Sequence, residues 1–290
     1  MQMIAIIKSK TFSQKTMRRR VVSVFIPLSL FVLGCVSCTS APVQRAALTA
    51  QEQFQEDIVS TRLWPEQLES VIRITGKVDN EVLLRKIALK VANADPFLAE
   101  TPLGVRIFDE QPIAPHSPLQ NLPQVISIPG NRVYISSKLL LSLDYENELA
   151  GLFAVEFSHL LARDAIQNHR QGQPVPELPM VASVPSTGHA ELPLPISSIR
   201  GPNSLFRYQR AQDENAFRAA VKILYQAGYD PRGLVSYLRK RHNLEKEIPS
   251  TLVNLLETAT REELSRIPPL RNPIVSTGEF IALTQRLKKK

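Results

Sequence analysis

Residues Glu148–Asp164 read ELAGLFAVEFSHLLARD, and this stretch decides the fold. Asp144 precedes it and can cap a helix whose first turn is acidic. The pattern predicts one helix over roughly residues 145–168. Two polar residues of this helix, Glu156 and His159, stand three positions apart and therefore share a helical face. As a structural feature, such a pair satisfies its own hydrogen bonds inside a protein.

Shorter elements precede this helix. Helical segments are predicted over residues 51–72 and 80–94, and Asp95–Pro96 ends the second one. The period then changes from helical spacing to alternation, which predicts three short strands: Val105–Phe108, Gln124–Ile128 and Arg132–Ser136. A Pro-Gly-Asn turn joins the last two strands.

The rest of the chain is predicted to be helical on both sides of a long loop. Residues 171–203 are rich in Pro, Ser and Gly and contain no periodic run, so they form the loop. Helical segments are predicted at 205–227, after Asp230–Pro231, at 250–260 and at 276–287. The element pattern predicts an α+β fold over residues 51–290, mostly helical, with a small sheet beside the Glu148–Asp164 helix.

The N-terminal residues have the pattern of an export signal. Arg18–Arg20 form a basic segment, and Val21–Val32 is an apolar run of roughly a dozen residues, where a spanning helix needs about 20. Val32–Cys35 (VLGC) follows and is similar to a bacterial lipobox, whose cysteine thiol takes a diacylglyceryl group.

We therefore expect a signal peptide over residues 1–34, with Met17 as the preferred start, and lipid attachment at Cys35. A lipid-bearing tether over residues 35–50 follows. The alternative is an ordinary secretory leader with an incidental cysteine. With Cys38 as the other cysteine, no disulfide framework is expected.

The charge balance does not indicate a nucleic-acid partner. The whole chain has 35 Lys and Arg, 27 Asp and Glu, and a net charge of +8. Six of the basic residues and none of the acidic ones precede Cys35, so the chain from Cys35 onward carries 29 basic and 27 acidic residues, a net charge of +2. The basic excess therefore belongs largely to the leader.

The Glu148–Asp164 stretch resembles the zinc helix of peptidase family M48, whose pattern is roughly E-L-A-x-x-x-A-H-E-x-x-H-x-x-A-R-H. This family includes the CAAX-prenyl protease and periplasmic lipoprotein relatives. Ile128–Ser136 resembles the family's proline-glycine turn and following strand, and Ala227–Pro231 (AGYDP) resembles the link after the third-ligand helix. The resemblance covers about residues 82–239 and implies a metallopeptidase-like (zincin) domain.

The resemblance also implies a zinc site, and here the sequence departs from the family pattern. In H-E-x-x-H, two histidines one turn apart bind zinc and the glutamate polarises the attacking water. Val155 stands at the first histidine position, Glu156 at the general-base position and His159 at the second ligand position. A valine cannot coordinate a metal.

The third ligand position falls on Asp213, with Glu214 as an alternative if the helix turned. Phe217 replaces the aspartate that supports a ligand, and Asn272–Pro273 replaces a downstream His-Pro. Another histidine could complete the set from a loop, although none has the helical spacing: His116, His169, His189 or His242. The sequence contains no Gly-x-Ser-x-Gly motif, so it gives no indication of a serine nucleophile.

These departures lead us to expect a pseudopeptidase in which Glu156, His159 and Asp213 are vestigial and no cofactor is bound. Its groove would bind a polypeptide along strand Arg132–Ser136, under the 171–203 loop. The enzyme alternative is an active zinc endopeptidase with an unconventional ligand set. A third class, a purely structural lipoprotein, requires the loop to fill the cleft permanently.

The resemblance further implies a role in the bacterial envelope. We expect a lipid anchor in a membrane and an envelope or outer-membrane polypeptide as partner, in protein quality control. Val36, rather than Asp, follows the lipidated cysteine, which favours the outer membrane, facing the periplasm.

Overall fold

The computed structural model describes residues 49–70, 72–109, 123–130, 132–171, 208–244 and 249–288. The chain divides into two units, Met1–Ala46 and Ala47–Lys290, and all the described residues lie in the second. The predicted signal peptide, Cys35 and nearly all of the predicted tether and long loop lie outside the described residues. No helix in the described part is long and apolar enough to cross a membrane.

The N-terminal elements run in the order α1, α2, β1, α3, α4, β2: Ala50–Ser60, Trp64–Glu69, Arg73–Ile74, Val78–Ala92, Pro96–Ala99 and Gly104–Asp109. The middle of the chain contributes β3, β4, α5, α6 and α7: Val125–Ile128, Arg132–Ser136, Ser137–Ser142, Glu146–Leu161 and Asp164–Gln171. Four helices, α8 to α11, complete the described chain: Arg210–Gln226, Arg232–Leu244, Ser250–Ser265 and Gly278–Lys288. The predicted α+β class is therefore confirmed.

The predicted helix over 51–72 is wrong as a single element, because it divides into α1 and α2. Pro65 lies in the first turn of α2, where its missing N–H costs no helical hydrogen bond. The same residue cannot continue an existing helix. Thr61 ends α1 by donating its hydroxyl to the carbonyl of Asp57 at 2.7 Å.

The sheet has the strand order β1-β2-β4-β3. β2 and β4 are parallel, whereas β1 and β3 pair antiparallel with their neighbours. The sequence predicted that an extended polypeptide would pair with strand Arg132–Ser136. This prediction is wrong, because β4 is already hydrogen-bonded to a strand on each side. The two terminal strands are β1 and β3, and β3 contacts α6. The sheet edge beside the central helix is thus Val125–Ile128.

Helix α6 forms the centre of the core. All its residues except Glu156 and Leu161 are buried, as expected for a helix that is apolar on every side. It packs most extensively against α8, and also against α3, α9 and β3. Gly151 permits the approach of α9, since a Cβ built there would lie 2.8 Å from Leu234 Cδ2.

The N-terminus of α6 is anchored by two buried carboxylates. Glu148 accepts hydrogen bonds from Lys240 Nζ at 2.8 Å and from Ser236 Oγ at 3.0 Å. Glu146 accepts a bond from the Tyr229 hydroxyl at 2.7 Å and bonds from Thr277. These contacts fix the start of α6 to α9 and to the segments that precede α9 and α11.

The predicted single helix over 145–168 is also wrong, because it breaks between α6 and α7. Arg163 has a φ of 61°, a left-handed conformation that a residue with a side chain adopts only at a cost. Its guanidinium holds Asp57 of α1 through Nε–Oδ2 at 2.5 Å and Nη2–Oδ1 at 2.6 Å. It also donates to Gln53 Oε1 at 2.6 Å. This ion pair redirects the chain so that Asp164 begins α7.

The Ala227–Pro231 link pairs with the segment that precedes α11. Gly228 adopts a φ of +79°, and its carbonyl accepts a bond from Ile274 N at 2.9 Å. Asp230 N donates to the Ile274 carbonyl at 3.0 Å. Asn272–Pro273 therefore leads directly into the contact that closes this end of the domain.

Candidate functional site

The candidate site lies where α6, β3 and α8 meet, and it is built around Glu156. Ser127 of β3 donates its hydroxyl to Glu156 Oε2 at 2.8 Å, with the Glu156 carbonyl oxygen 3.3 Å away. Burial raises the pKa of Glu156 to about 8, the Ser127 hydrogen bonds oppose that rise, and the negative charge of Asp213 adds to it. At neutral pH this carboxyl therefore largely retains its proton.

His159, one turn further along α6, is 2% exposed and held by a different carboxylate. Its Nδ1 lies 2.7 Å from Asp164 Oδ2, whose other oxygen accepts a bond from Gln212 Nε2 at 3.1 Å. Burial lowers the pKa of His159, and the bond and charge of Asp164 oppose this effect. The proton is therefore assigned to Nδ1, which leaves the lone pair of Nε2 directed away from Asp164.

Asp213 of α8 faces the other side of this imidazole. Its Oδ1 lies 3.6 Å from His159 Nε2, too long for a hydrogen bond. Burial raises the pKa of Asp213 to about 7, and the charge of Asp164 adds to the rise. The structure thus brings together the three residues predicted from the sequence, Glu156, His159 and Asp213. The expected hydrogen bond between Glu156 and His159 is wrong, because each has another partner.

Tyr208 stacks on the ring of His159 with 3.6 Å between ring centroids and 16° between ring planes. It is partly buried and packs against the smaller apolar cluster of the domain. Burial raises the pKa of its hydroxyl, as do the charges of Glu156, Asp164 and Asp213, against a hydrogen bond from Ser127. An aromatic ring therefore covers one face of the imidazole.

Three residues of this site were missed from the sequence: Ser127, Asp164 and Tyr208. Ser127 stood in a predicted strand, Asp164 in a predicted helix, and Tyr208 near the start of another, so none carried a distinguishing signal. Asp164 is the last residue of the Glu148–Asp164 stretch, and a helix break before it would have been the signal that separates it from the helix. The sequence does not show that break, because Arg163 is neither Gly nor Asn.

The residues present do not fit a catalytic zinc ion, which needs three protein ligands and an open position. Val155, one turn before His159, is buried in the large apolar cluster, as is Phe217. His159 and Asp213 remain as two candidate ligands. Throughout the residues that the structure describes, no group of three or more His, Cys, Asp or Glu is arranged to hold a metal ion.

The other two histidines that the structure describes do not complete the set. His169 lies in α7 with its ring 5.9 Å from that of Trp64, and His242 lies in α9. His116 and His189 are outside the described residues.

The chain matches the family model of Peptidase family M48 over residues 126–274, which spans β3, α6, α8 and the segment that pairs with the Ala227–Pro231 link. This chain belongs to peptidase family M48. The match includes Val155 and all the residues of the Glu156–His159 site. The predicted family is thereby confirmed, together with the metallopeptidase-like domain that it implied.

Among curated relatives, this M48 chain is 24% identical over 170 residues to proteins named beta-barrel assembly-enhancing protease from Escherichia coli strain K12 and from Shigella flexneri. The match covers 54% of this chain and 34% of each relative. The chain therefore spans about a third of the length of these relatives.

Proposed function

We propose that this chain is an M48 pseudopeptidase, an envelope lipoprotein that binds polypeptide and acts in a chaperone-like way in envelope or outer-membrane protein quality control. The observation that carries the proposal is Val155. A buried apolar side chain stands one helical turn before His159, where a second imidazole would be required. Glu156 and His159 Nδ1 are each hydrogen-bonded to another protein group, Ser127 and Asp164 respectively.

The contacts of the site support a non-catalytic role. Glu156 is bonded to Ser127 and retains its proton near neutral pH, whereas a general base has to be ionised to activate water. Tyr208 lies flat on His159. These residues stabilise the junction of β3 and α6 in a way that needs no metal.

The sheet edge supports polypeptide binding. β3 is the terminal strand on the α6 side of the described sheet, so one side of its backbone is not paired with a described strand. An extended polypeptide can pair with such an edge through main-chain hydrogen bonds. The relatives named above act in beta-barrel assembly by name, and barrel strands are extended segments of this kind.

Metal content and proteolysis test the non-catalytic part of the proposal. Purified full-length chain should contain far less than one zinc ion per chain by elemental analysis, and it should not cleave an unfolded protein. Glu156→Gln, which preserves the size of the side chain, should change neither result. One tightly bound zinc per chain, together with proteolysis that Glu156→Gln abolishes, would overturn the proposal.

Site-specific photocrosslinking in cells tests the binding part. A crosslinker at Gln124, the residue before β3, should trap an extended envelope polypeptide, and one at exposed Ile281 on α11 is the matched control. A partner trapped from Ile281 and not from Gln124 would move the binding surface away from the cleft.

The second candidate function is an active zinc endopeptidase, favoured by one observation. Asp164 holds His159 Nδ1 in the way that a carboxylate holds the non-coordinating ring nitrogen of a metal-ligating histidine, and Nε2 is left facing Asp213. Such an enzyme would need a third ligand from outside the described residues. The metal and proteolysis measurements distinguish it from the pseudopeptidase.

A further inference from the structure

A second surface, remote in sequence from the cleft residues, lies along the outer face of α3. Val78 and Val82 are 74% and 61% exposed and are the two most exposed large apolar side chains in the described part of the chain. They stand one turn apart on a helix that buries Leu84, Ile87 and Val91 on its other face. Core packing therefore does not account for valines at these positions, where helix propensity favours other residues.

The two valines form one wall of an open groove between α3 and the start of β2. The groove encloses about 560 Å³, within the size range of sites that take ligands or peptide side chains. Its apolar lining consists of Val78, Val82, Pro102, Leu103 and Val105. Val82 also lines two adjoining grooves, one of which extends toward α11.

The charged lining of the same groove consists of three guanidinium groups and one carboxylate: Arg85, Arg106, Arg132 and Glu81. Arg85 donates its Nε to the Leu103 carbonyl at 2.7 Å and keeps its terminal nitrogens for other partners. Arg132 is hydrogen-bonded to Glu69, and Arg106 reaches Glu81 at 3.3 Å.

The acidic partners lie deeper than the arginines that they hold. The Arg106 and Arg132 side chains are 39% and 40% exposed, whereas Glu69 and Glu81 are 24% and 12% exposed. Each guanidinium has five N–H donors, of which these bonds use few. The polar surface that a ligand meets is therefore mainly guanidinium, beside an apolar floor.

We propose that this groove docks a segment of a partner polypeptide in which carboxylates flank apolar residues. The carboxylates would bind the free donors of Arg85, Arg106 and Arg132, because guanidinium groups match carboxylates in charge and geometry. The apolar residues would cover Val78 and Val82. This inference goes beyond the proposed function and does not depend on the state of the α6 cleft.

The test uses the full-length chain in detergent and a fluorescein-labelled 12-residue peptide with two aspartates on each side of a short apolar stretch. Fluorescence anisotropy should show binding that weakens at least tenfold when the aspartates are replaced by asparagines. Val82→Glu should weaken it by a similar factor, because it removes apolar contact and repels the aspartates. Arg85→Gln should weaken it by a smaller factor.

Val59 supplies the matched control, since it is a 54% exposed valine on helix α1 outside the groove. Val59→Glu should leave peptide binding unchanged. Equal binding of the aspartate and asparagine peptides, or no effect of Val82→Glu, would overturn the proposal. It would also be overturned if vesicles containing phosphatidylglycerol bound the chain in a Val82-dependent way while the peptide did not.

Discussion

At the scale of single residues, Glu156 shows how burial sets a property that the sequence motif does not specify. An H-E-x-x-H glutamate acts as an ionised base, whereas burial raises the pKa of Glu156 to about 8 although the Ser127 hydrogen bonds oppose the rise. The folded state therefore holds a proton that the unfolded chain releases above a pKa of about 4.5. The contribution of Glu156 to folding stability falls as the pH rises between these two values.

We predict that Glu156→Gln removes this pH dependence. When the pH is raised from about 5.5 to about 8.5, the unfolding free energy of the unmodified chain should fall relative to that of the variant. The expected difference is about 2 to 3 kcal/mol, since one pKa unit corresponds to about 1.4 kcal/mol. Denaturant unfolding at the two pH values measures it. The same change at exposed Glu100 is the control, and an equal gain there would refute the assignment to Glu156.

Arg163 carries a second prediction at this scale. Arg163→Ala and Arg163→Gly both leave the buried Asp57 carboxylate without its ion pair, so both should be destabilising by several kcal/mol. They differ in the backbone, because only glycine adopts a φ near 61° without cost. Arg163→Gly should therefore be more stable than Arg163→Ala by about 1 kcal/mol. Equal stabilities in urea unfolding would show that the left-handed conformation is not strained.

The site could be predicted from the sequence only where a motif fixed the spacing. Glu156 and His159 belong to one helical motif, and Asp213 was found by its distance from the Ala227–Pro231 link. Ser127, Asp164 and Tyr208 act through contacts between elements, which local periodicity does not encode. The residue types at those positions are common in strands and helices of any protein.

At the scale of elements, the long periodic segments were predicted best. The helix over 80–94 and the strand Arg132–Ser136 were close to α3 and β4, because burial of one face imposes the period. The strand order was not predictable from pattern, and it decided which strand carries the edge. The breaks after Ser60 and Leu161 depend on side-chain bonds to Asp57 and on Pro65.

The N-terminal anchor of α6 supplies the prediction at this scale. Glu148 is fully buried and ion-paired to Lys240 at 2.8 Å. Glu148→Ala should cost about 3 kcal/mol, because it removes the buried acceptor of Lys240 and Ser236 and leaves the half-exposed Asp144, 2.7 Å away, as the ion-pair partner of Lys240. Combining Glu148→Gln with Lys240→Met should cost less than the sum of the two single changes, by about 1 to 3 kcal/mol.

The exposed pair of Lys86 and Glu279 is the matched control for this double-mutant cycle. Lys86→Ala should cost less than about 1 kcal/mol, since solvent screens an exposed ion pair. Thermal unfolding of all the variants gives the comparison. Additive effects at Glu148 and Lys240 would show that α6 is not anchored through this pair.

At the scale of the whole molecule, the two proposed binding surfaces lie in the described domain, whereas the proposed site of membrane attachment does not. Both surfaces, the α6 cleft and the α3 groove, belong to the unit Ala47–Lys290. The membrane attachment that we propose depends on a cysteine before that unit. The net charge of +2 after Cys35 is too small to hold the domain at a membrane by electrostatics alone. The attachment that we propose therefore rests on the lipid at Cys35.

Cys35 and Cys38 allow that requirement to be tested within one chain. The intact mass of the protein isolated from a bacterial envelope should exceed that of the polypeptide beginning at Cys35 by its acyl groups. Two or three chains anchor a protein stably, at about 0.8 kcal/mol per buried methylene. Cys38→Ala should retain the added mass and the partition into detergent, whereas Cys35→Ala should lose both. The thermal unfolding of Cys35→Ala should stay unchanged, because the described fold begins after this residue. Added acyl mass that persists in Cys35→Ala would place the anchor at another residue.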